Sequence, residues 1–296
     1  TSAGTSPYTF QPTGTTVVFD GTTPQSISFA YPGSNTNYFD DLRIENPLGV
    51  TDTSSNMWVK GQLEMVGQGA LTATKVRLTT KLPLTNDHYN VTDTEIRGHI
   101  TATDNWVGTM PKLSLINGLT LRPNGHHLTI DGDFAQTISS GTYGLQLNNA
   151  NDRVTITGDA VFTGATTSSV NTALTAGEIW FQGNFQQLGT NVFQPNGTAT
   201  IFNGGGTHTV SFASSGGNWF DDMTLAPGSA LNITGAMQVK GDTSLNGDTT
   251  NASTFSTLGT LTLADGITLT NNGNVRYRTG YTDNGATIIG SPPVLY

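Results

Sequence analysis

Two pairs of adjacent carboxylates are the residues best suited to acid and base chemistry in this chain of 296 residues. Asp40 and Asp41 follow two aromatic residues in "YFDD", and Asp221 and Asp222 do so in "WFDD". Two carboxylates can cleave a glycosidic bond together, and each pair could also help to hold Ca²⁺. Because both pairs occupy the same place in two similar segments, we interpret them as turn or ladder-end residues, with calcium binding as the weaker alternative.

A second set of polar residues follows a recurring glycine. The strings "TIDGDF", "TITGDA" and "WFQGNF" contain Gly132, Gly158 and Gly183, and related strings contain Gly61 and Gly241. The first three strings recur at an interval of roughly 25 residues, which is typical of one coil of a solenoid. In a parallel β-helix, equivalent residues stack about 4.8 Å apart. We therefore expect one ladder formed by Gln62, Asp133, Asp159, Asn184 and Asp242.

Asp133 and Asp159 are the catalytic candidates if the chain is an enzyme. On neighbouring rungs they would lie close enough to act as an acid and base pair. However, Asn184 and Gln62 share their position, and Asp, Asn and Gln can all accept hydrogen bonds from the backbone amides of a turn. We therefore predict a protein without catalytic activity and keep a polysaccharide hydrolase or lyase as the alternative.

Tryptophan is the residue type best suited to binding a sugar ring. Tyr38 and Trp219 occupy equivalent places in the two similar segments, which indicates a packing role. Trp106, in "TATDNWVGTM", lies outside the shared pattern. We therefore select Trp106 as the candidate ligand-binding residue, with core packing as the alternative.

The similar segments define the organisation of the chain. "FQPTGTTVVFDG" begins at Phe10 and "FQPNGTATIFNG" at Phe193, and the likeness continues through "MWVKGQLEM" and "MQVKGDTSL". Residues 10–66 thus match residues 193–246. Internal repetition of apolar segments is typical of stacked architectures, in which each unit buries its face against a neighbour. We predict a single elongated domain over residues 1–296.

The local pattern predicts strands almost throughout. "LSLINGLTLRPNGHHLTIDGDF" alternates apolar and polar residues, which is the period of a strand with one buried face. Apolar residues do not keep helical spacing for more than about two turns. The glycine intervals favour a parallel β-helix with irregular coils of about 20–26 residues, and a β-sandwich is the main alternative.

Composition restricts the partners. A net charge of −9 with 12 Lys and Arg residues disfavours a nucleic-acid surface, and no apolar run is long enough for a transmembrane helix. Cysteine is absent, which excludes disulfides and thiolate metal sites. We predict no cofactor, apart from Ca²⁺ as an option at the carboxylate pairs.

The repeated strings also resemble a known group of proteins. "FDDLRI", "MWVKGQLEM", "FDDMTL" and "LGTLTLADGITL" are similar to the degenerate coils of large bacterial surface and secreted β-helix proteins, such as haemagglutinin-like adhesins. The likeness covers most of residues 10–270, and phage tail fibres and tailspikes use similar coils. It implies that the parallel β-helix is right-handed, and it implies an extracellular structural or adhesive role, with surface polysaccharide or other copies of the chain as partners. It transfers no functional residue.

Overall fold

A computed structural model describes residues 10–33, 35–116, 118–138, 144–165, 173–213 and 217–296 of the chain. Parallel strands stack there into a β-solenoid of about 12 turns without any helix, which confirms the predicted fold class. No helix that could cross a membrane is found among these residues.

The described residues contain 31 strands. In chain order they are β1 Thr16–Phe19, β2 Gln25–Ile27, β3 Asp41–Ile44, β4 Val50–Asp52, β5 Met57–Val59, β6 Leu63–Met65, β7 Leu71–Leu78, β8 Tyr89–Ile96, β9 Ile100–Thr101, β10 Trp106–Leu115, β11 Thr120–Arg122, β12 His127–Ile138, β13 Gly144–Leu145, β14 Arg153–Ile156, β15 Ala160–Ala165, β16 Glu178–Phe181, β17 Phe185–Thr190, β18 Ala199–Phe202, β19 Thr207–Phe212, β20 Met223–Leu225, β21 Ala230–Ile233, β22 Met237–Val239, β23 Thr243–Leu245, β24 Thr249–Asn251, β25 Thr254–Thr257, β26 Thr260–Leu263, β27 Thr268–Asn271, β28 Asn274–Tyr277, β29 Gly280–Asp283, β30 Thr287–Gly290 and β31 Val294–Leu295.

Three short strands form a typical turn, one on each face of the solenoid. Strands β3, β4 and β5 make such a turn, and β6 then pairs with β3 to begin the next. Coil length varies along the axis. The Asp242 side chain accepts a hydrogen bond from the amide of Thr260 on the next coil, 18 residues later in the chain. The Asp133 side chain accepts one from the amide of Asp159, which is 26 residues later. The shortest coils thus fall slightly below the predicted range.

The core runs along the axis and is filled by the alternate residues of each strand. Strands such as β26 alternate half-buried and buried positions, with Leu261 and Leu263 fully enclosed. Phenylalanine dominates the middle coils, where the ring centroids of Phe162 and Phe193 lie 4.8 Å apart. Burial of such rings stabilises these coils, because apolar area is removed from water on both sides of the ring.

The two similar segments face different directions around the axis. An unbroken ladder runs from β5 through β7, β8, β10, β12, β15, β17 and β19 to β21. In sequence, however, β21 corresponds to β4, and β22 corresponds to β5. The second copy is therefore turned by one face relative to the first.

Candidate functional site

The first aspartate of each carboxylate pair binds the coil before it. Asp40 Oδ2 accepts a hydrogen bond from the Gly14 amide at 2.5 Å, and Asp221 Oδ2 accepts one from the Gly197 amide at the same distance. Burial raises the pKa of Asp221 above its usual value, although the bond from Gly197 opposes this shift. The equivalent contacts in the two copies show why this position is repeated.

The second aspartate binds the coil after it. Asp41 Oδ1 accepts a hydrogen bond from the Gln62 amide at 2.6 Å, and Asp222 Oδ1 accepts one from the Asp242 amide at 2.8 Å. The two carboxylates of a pair are thus engaged by different coils. Each pair ties three successive coils together.

The first aromatic residue of each repeated string, two positions before the aspartate pair, is covered by a lysine of the next coil. Lys60 Nζ lies 3.7 Å from the ring centroid of Tyr38, and Lys240 Nζ lies 3.2 Å from that of Trp219. Burial lowers the pKa of Lys240, although the Asp221 carboxylate opposes this shift. The lysine covers one face of each ring, and both aromatic residues are buried, so neither presents an open face to a sugar.

Asp133 and Asp159 belong to a ladder of backbone contacts. Asp133 Oδ1 accepts the amide of Asp159 at 2.8 Å, and Asp159 Oδ1 accepts the amide of Asn184 at 2.9 Å. Asn184 Oδ1 continues the series by accepting the amide of Thr209 at 2.8 Å. The carboxylates and the amide side chain therefore perform the same task on successive coils.

The prediction of a single ladder is wrong for its two outer members. Gln62 stacks on Asp41, and Asp242 stacks on Asp222 and accepts the Thr260 amide at 2.7 Å. These contacts lie before β6, β23 and β26, whereas the Asp133 ladder lies before β15 and β17. Each coil has several corners, and the glycine motif serves at more than one of them.

Glycine precedes the ladder residues because successive backbones approach closely at the corner. A Cβ atom added to Gly183 would lie 2.2 Å from the carbonyl oxygen of Gly158, and one added to Gly158 would lie 2.6 Å from the carbonyl carbon of Gly132. No side chain fits in this space. The glycine therefore allows the polar residue after it to come within hydrogen-bonding distance of the next coil.

Two further tryptophans also pair with cations on the outer surface. The guanidinium of Arg153 lies 4.4 Å from the ring centroid of Trp180, and that of Arg77 lies 5.3 Å from that of Trp58. Trp180 Nε1 also donates to Glu178 Oε2 at 2.8 Å. Three of the four tryptophans thus carry a cation against the ring.

Trp106 lies where one face of the solenoid is interrupted. The ladder β1–β3–β6 ends in a bridge to Leu84, and a separate ladder, β9–β11–β13, begins at Ile100. Trp106 Nε1 donates to the carbonyl oxygen of Pro83 at 2.7 Å and so spans the break. Only 7% of Trp106 is exposed. It is therefore largely packed, and it does not present an open ring face.

The break leaves a cleft of about 410 Å³. This volume lies within the usual range of small-molecule sites. Apolar residues form much of its wall, and polar residues stand around them: Gln62, Thr80, Lys81, Leu82, Leu84, Ile100, Thr101, Ala102, Thr103, Asp104, Asn105 and Trp106. Trp106 indicated this region of the sequence, but the other lining residues carried no motif.

A charged cluster on β7 and β8 was also missed by sequence reasoning. Glu95 accepts hydrogen bonds from Lys75, Arg77 and Arg97, and Lys75 also lies 3.3 Å from Asp93. Burial opposes the ionisation of Glu95, but the three cationic donors outweigh it and lower the pKa of Glu95 to about 2. The concentration of charge between residues 75 and 97, in a chain with 11% charged residues, was the available signal.

Within the described ranges, no three His, Asp or Glu side chains come together as metal ligands. No protein-family model matches the chain, and no curated protein or solved structure is detectably similar to it.

Proposed function

We propose that this protein is a non-enzymatic extracellular β-solenoid that acts as a rigid stalk or fibre segment and presents a surface for binding. The observation that carries this proposal is the engagement of its carboxylates. Asp41, Asp133, Asp159 and Asp222 each accept a backbone amide of the following coil. In a glycoside hydrolase the two carboxylates must instead reach the scissile bond.

The extracellular assignment draws on composition and resemblance. Few charges, many small polar residues and the absence of cysteine accompany coils that are similar to those of bacterial surface proteins. Surface polysaccharide is the proposed partner, together with other copies of the chain, because stacked parallel strands can also pair between chains. A phage receptor-binding fibre would use the same rigid rod.

Scattering and activity measurements on the purified chain test this proposal. About 12 turns stacked at about 4.8 Å predict a rod of about 58 Å, which small-angle X-ray scattering measures. A reducing-sugar assay on a polysaccharide panel should show no release, for the wild type and for Asp133→Asn/Asp159→Asn alike. Sugar release by the wild type that is lost in a folded double variant would replace the proposal with a glycoside hydrolase.

The location has its own test. An antiserum raised against the purified chain should label intact, unpermeabilised source cells or virions. Labelling that appears only after permeabilisation would contradict an extracellular role.

A further inference from the structure

The cleft beside Trp106 contains polar side chains that are not engaged by other described residues. Lys81, Thr101, Thr103 and Asp104 line it, and none of them makes a side-chain hydrogen bond or ion pair with the described part of the chain. The carboxylates of the ladders, by contrast, are occupied by backbone amides. The cleft thus offers donors and acceptors that a ligand could use.

The floor of the cleft is apolar. Leu82, Ile100, Ala102 and Trp106 are nearly buried, and Leu84 is 48% exposed beside them. Trp106 is held in place by its bond to Pro83, so the floor is fixed before any ligand arrives. A rigid apolar floor with polar groups above it suits a ligand that has an apolar face and many hydroxyl groups.

The charges of the cleft disfavour ionic ligands. Lys81 and Asp104 line it together and carry opposite charges, while the whole chain has a net charge of −9. An anionic polymer would meet one lysine and a repulsive overall field. Neutral hydroxyl groups, which both donate and accept hydrogen bonds, match Thr101, Thr103, Asp104 and Lys81 without an uncompensated charge.

An extended peptide fits this break less well than a sugar does. A peptide would bind by adding a strand to an open sheet edge, which requires free backbone groups. At the edge beside the cleft, Pro83 has no amide hydrogen, and its carbonyl oxygen is occupied by Trp106. Strand addition is therefore obstructed at Pro83.

We infer that this cleft binds a neutral saccharide, with the sugar C–H face against Leu84 and the hydroxyl groups bonded to Thr103, Asp104, Thr101 and Lys81. The inference rests on the surface-binding role proposed above and names its ligand class. Binding at this one cleft would give each copy of the chain a single attachment point, and assembly of copies would multiply the attachment strength.

Titrations with defined sugars test the inference. The probes are neutral hexose and N-acetylhexosamine oligosaccharides, with an oligogalacturonate as the anionic comparison, followed by calorimetry and tryptophan fluorescence. We expect binding of at least one neutral probe, weakened roughly tenfold or more in Thr103→Ala/Asp104→Ala. The melting temperature should stay unchanged, because both residues are exposed. Thr250→Ala, an exposed threonine on β24, is the matched control and should bind as the wild type does.

Three outcomes would overturn the inference: no binding of any neutral probe at millimolar concentration, binding of the oligogalacturonate alone, or binding that the cleft variants do not alter. The scaffold proposal fails differently. It falls if the wild type releases reducing sugars or does not scatter as a rod, whatever the cleft binds.

Discussion

Trp106 donates its indole hydrogen to the carbonyl oxygen of Pro83 at 2.7 Å, and Trp219 donates to that of Pro195 at the same distance. The first bond spans 23 residues of the sequence and the second spans 24, so each joins two neighbouring coils. In both places the tryptophan follows an asparagine and bonds to a proline carbonyl oxygen of the preceding coil. Tryptophan thus acts here as a connection between coils, and at Trp106 the same connection forms the floor of the cleft.

Phenylalanine at either position should destabilise the solenoid. Trp106→Phe and Trp219→Phe keep an aromatic ring but leave a proline carbonyl without its donor, so we expect each to lower the free energy of unfolding by about 1–3 kcal/mol. Urea unfolding measures this change. Trp58→Phe is the control, because its indole bonds to the Asn56 side chain near the surface, and it should cost less than about 1 kcal/mol. Equal stability of wild type and Trp106→Phe would show that the bond contributes nothing.

The aspartates of the repeated module should tolerate asparagine better than alanine. Asp222→Asn keeps an oxygen that can accept the Asp242 amide, whereas Asp222→Ala removes it and should cost about 1 kcal/mol more. The same order is expected for Asp41, which binds the Gln62 amide. Thermal unfolding of the four variants measures it. If asparagine is as damaging as alanine, the negative charge and not the acceptor is what the position requires.

Alanine at the corner glycine should be strongly destabilising. The added Cβ of Gly183→Ala would lie 2.2 Å from a backbone oxygen of Gly158, which no side-chain rotation relieves, so we expect a loss of about 2–4 kcal/mol. Gly206→Ala is the matched control, since nothing lies within 4 Å of its Cβ position. It should change stability by less than about 0.5 kcal/mol. A mild effect at Gly183 would mean that the coils can separate at this corner.

Glu95 should make the solenoid sensitive to acid. Its pKa is lowered in the folded state to about 2, below the usual value near 4.3. The stability that it contributes is therefore fully present above about pH 5 and is lost as the pH falls toward 2. Glu95→Gln should be less stable than the wild type by about 2–3 kcal/mol at pH 7, and this difference should shrink toward pH 2.

The measurement is a series of urea unfolding curves between pH 2 and pH 7. Glu64→Gln is the control, because Glu64 is 38% exposed and lies 3.8 Å from Arg43, so it should shift stability by less than about 0.5 kcal/mol at any pH. A Glu95→Gln curve parallel to that of the wild type would contradict the role of the three cations.

The sequence predicted the class of fold from local features. Alternating apolar residues require strands with one buried face, and the recurrence of a glycine with a polar neighbour at Gly132, Gly158 and Gly183 indicated a coil. Both signals depend on residues close together in the chain or on a regular interval. Asp40 accepts the Gly14 amide, and Asp221 accepts the equivalent Gly197 amide in the second copy. The repeated string therefore encodes a repeated set of contacts.

Which corner each motif occupies was decided by the tertiary structure. Coils of unequal length let the second copy of the repeat turn by one face relative to the first, so that Asp242 stacks on Asp222 and not on the Asp133 ladder. The cleft also depends on unequal coil length, because it lies between the end of one ladder at Leu84 and the start of another at Ile100. The cations around Glu95 converge for a related reason, since Lys75 and Glu95 meet only through the register of β7 on β8. Loop lengths set that register. A local sequence pattern shows where a loop lies in the chain, but it does not show which residues of the neighbouring coil the following strand will pair with.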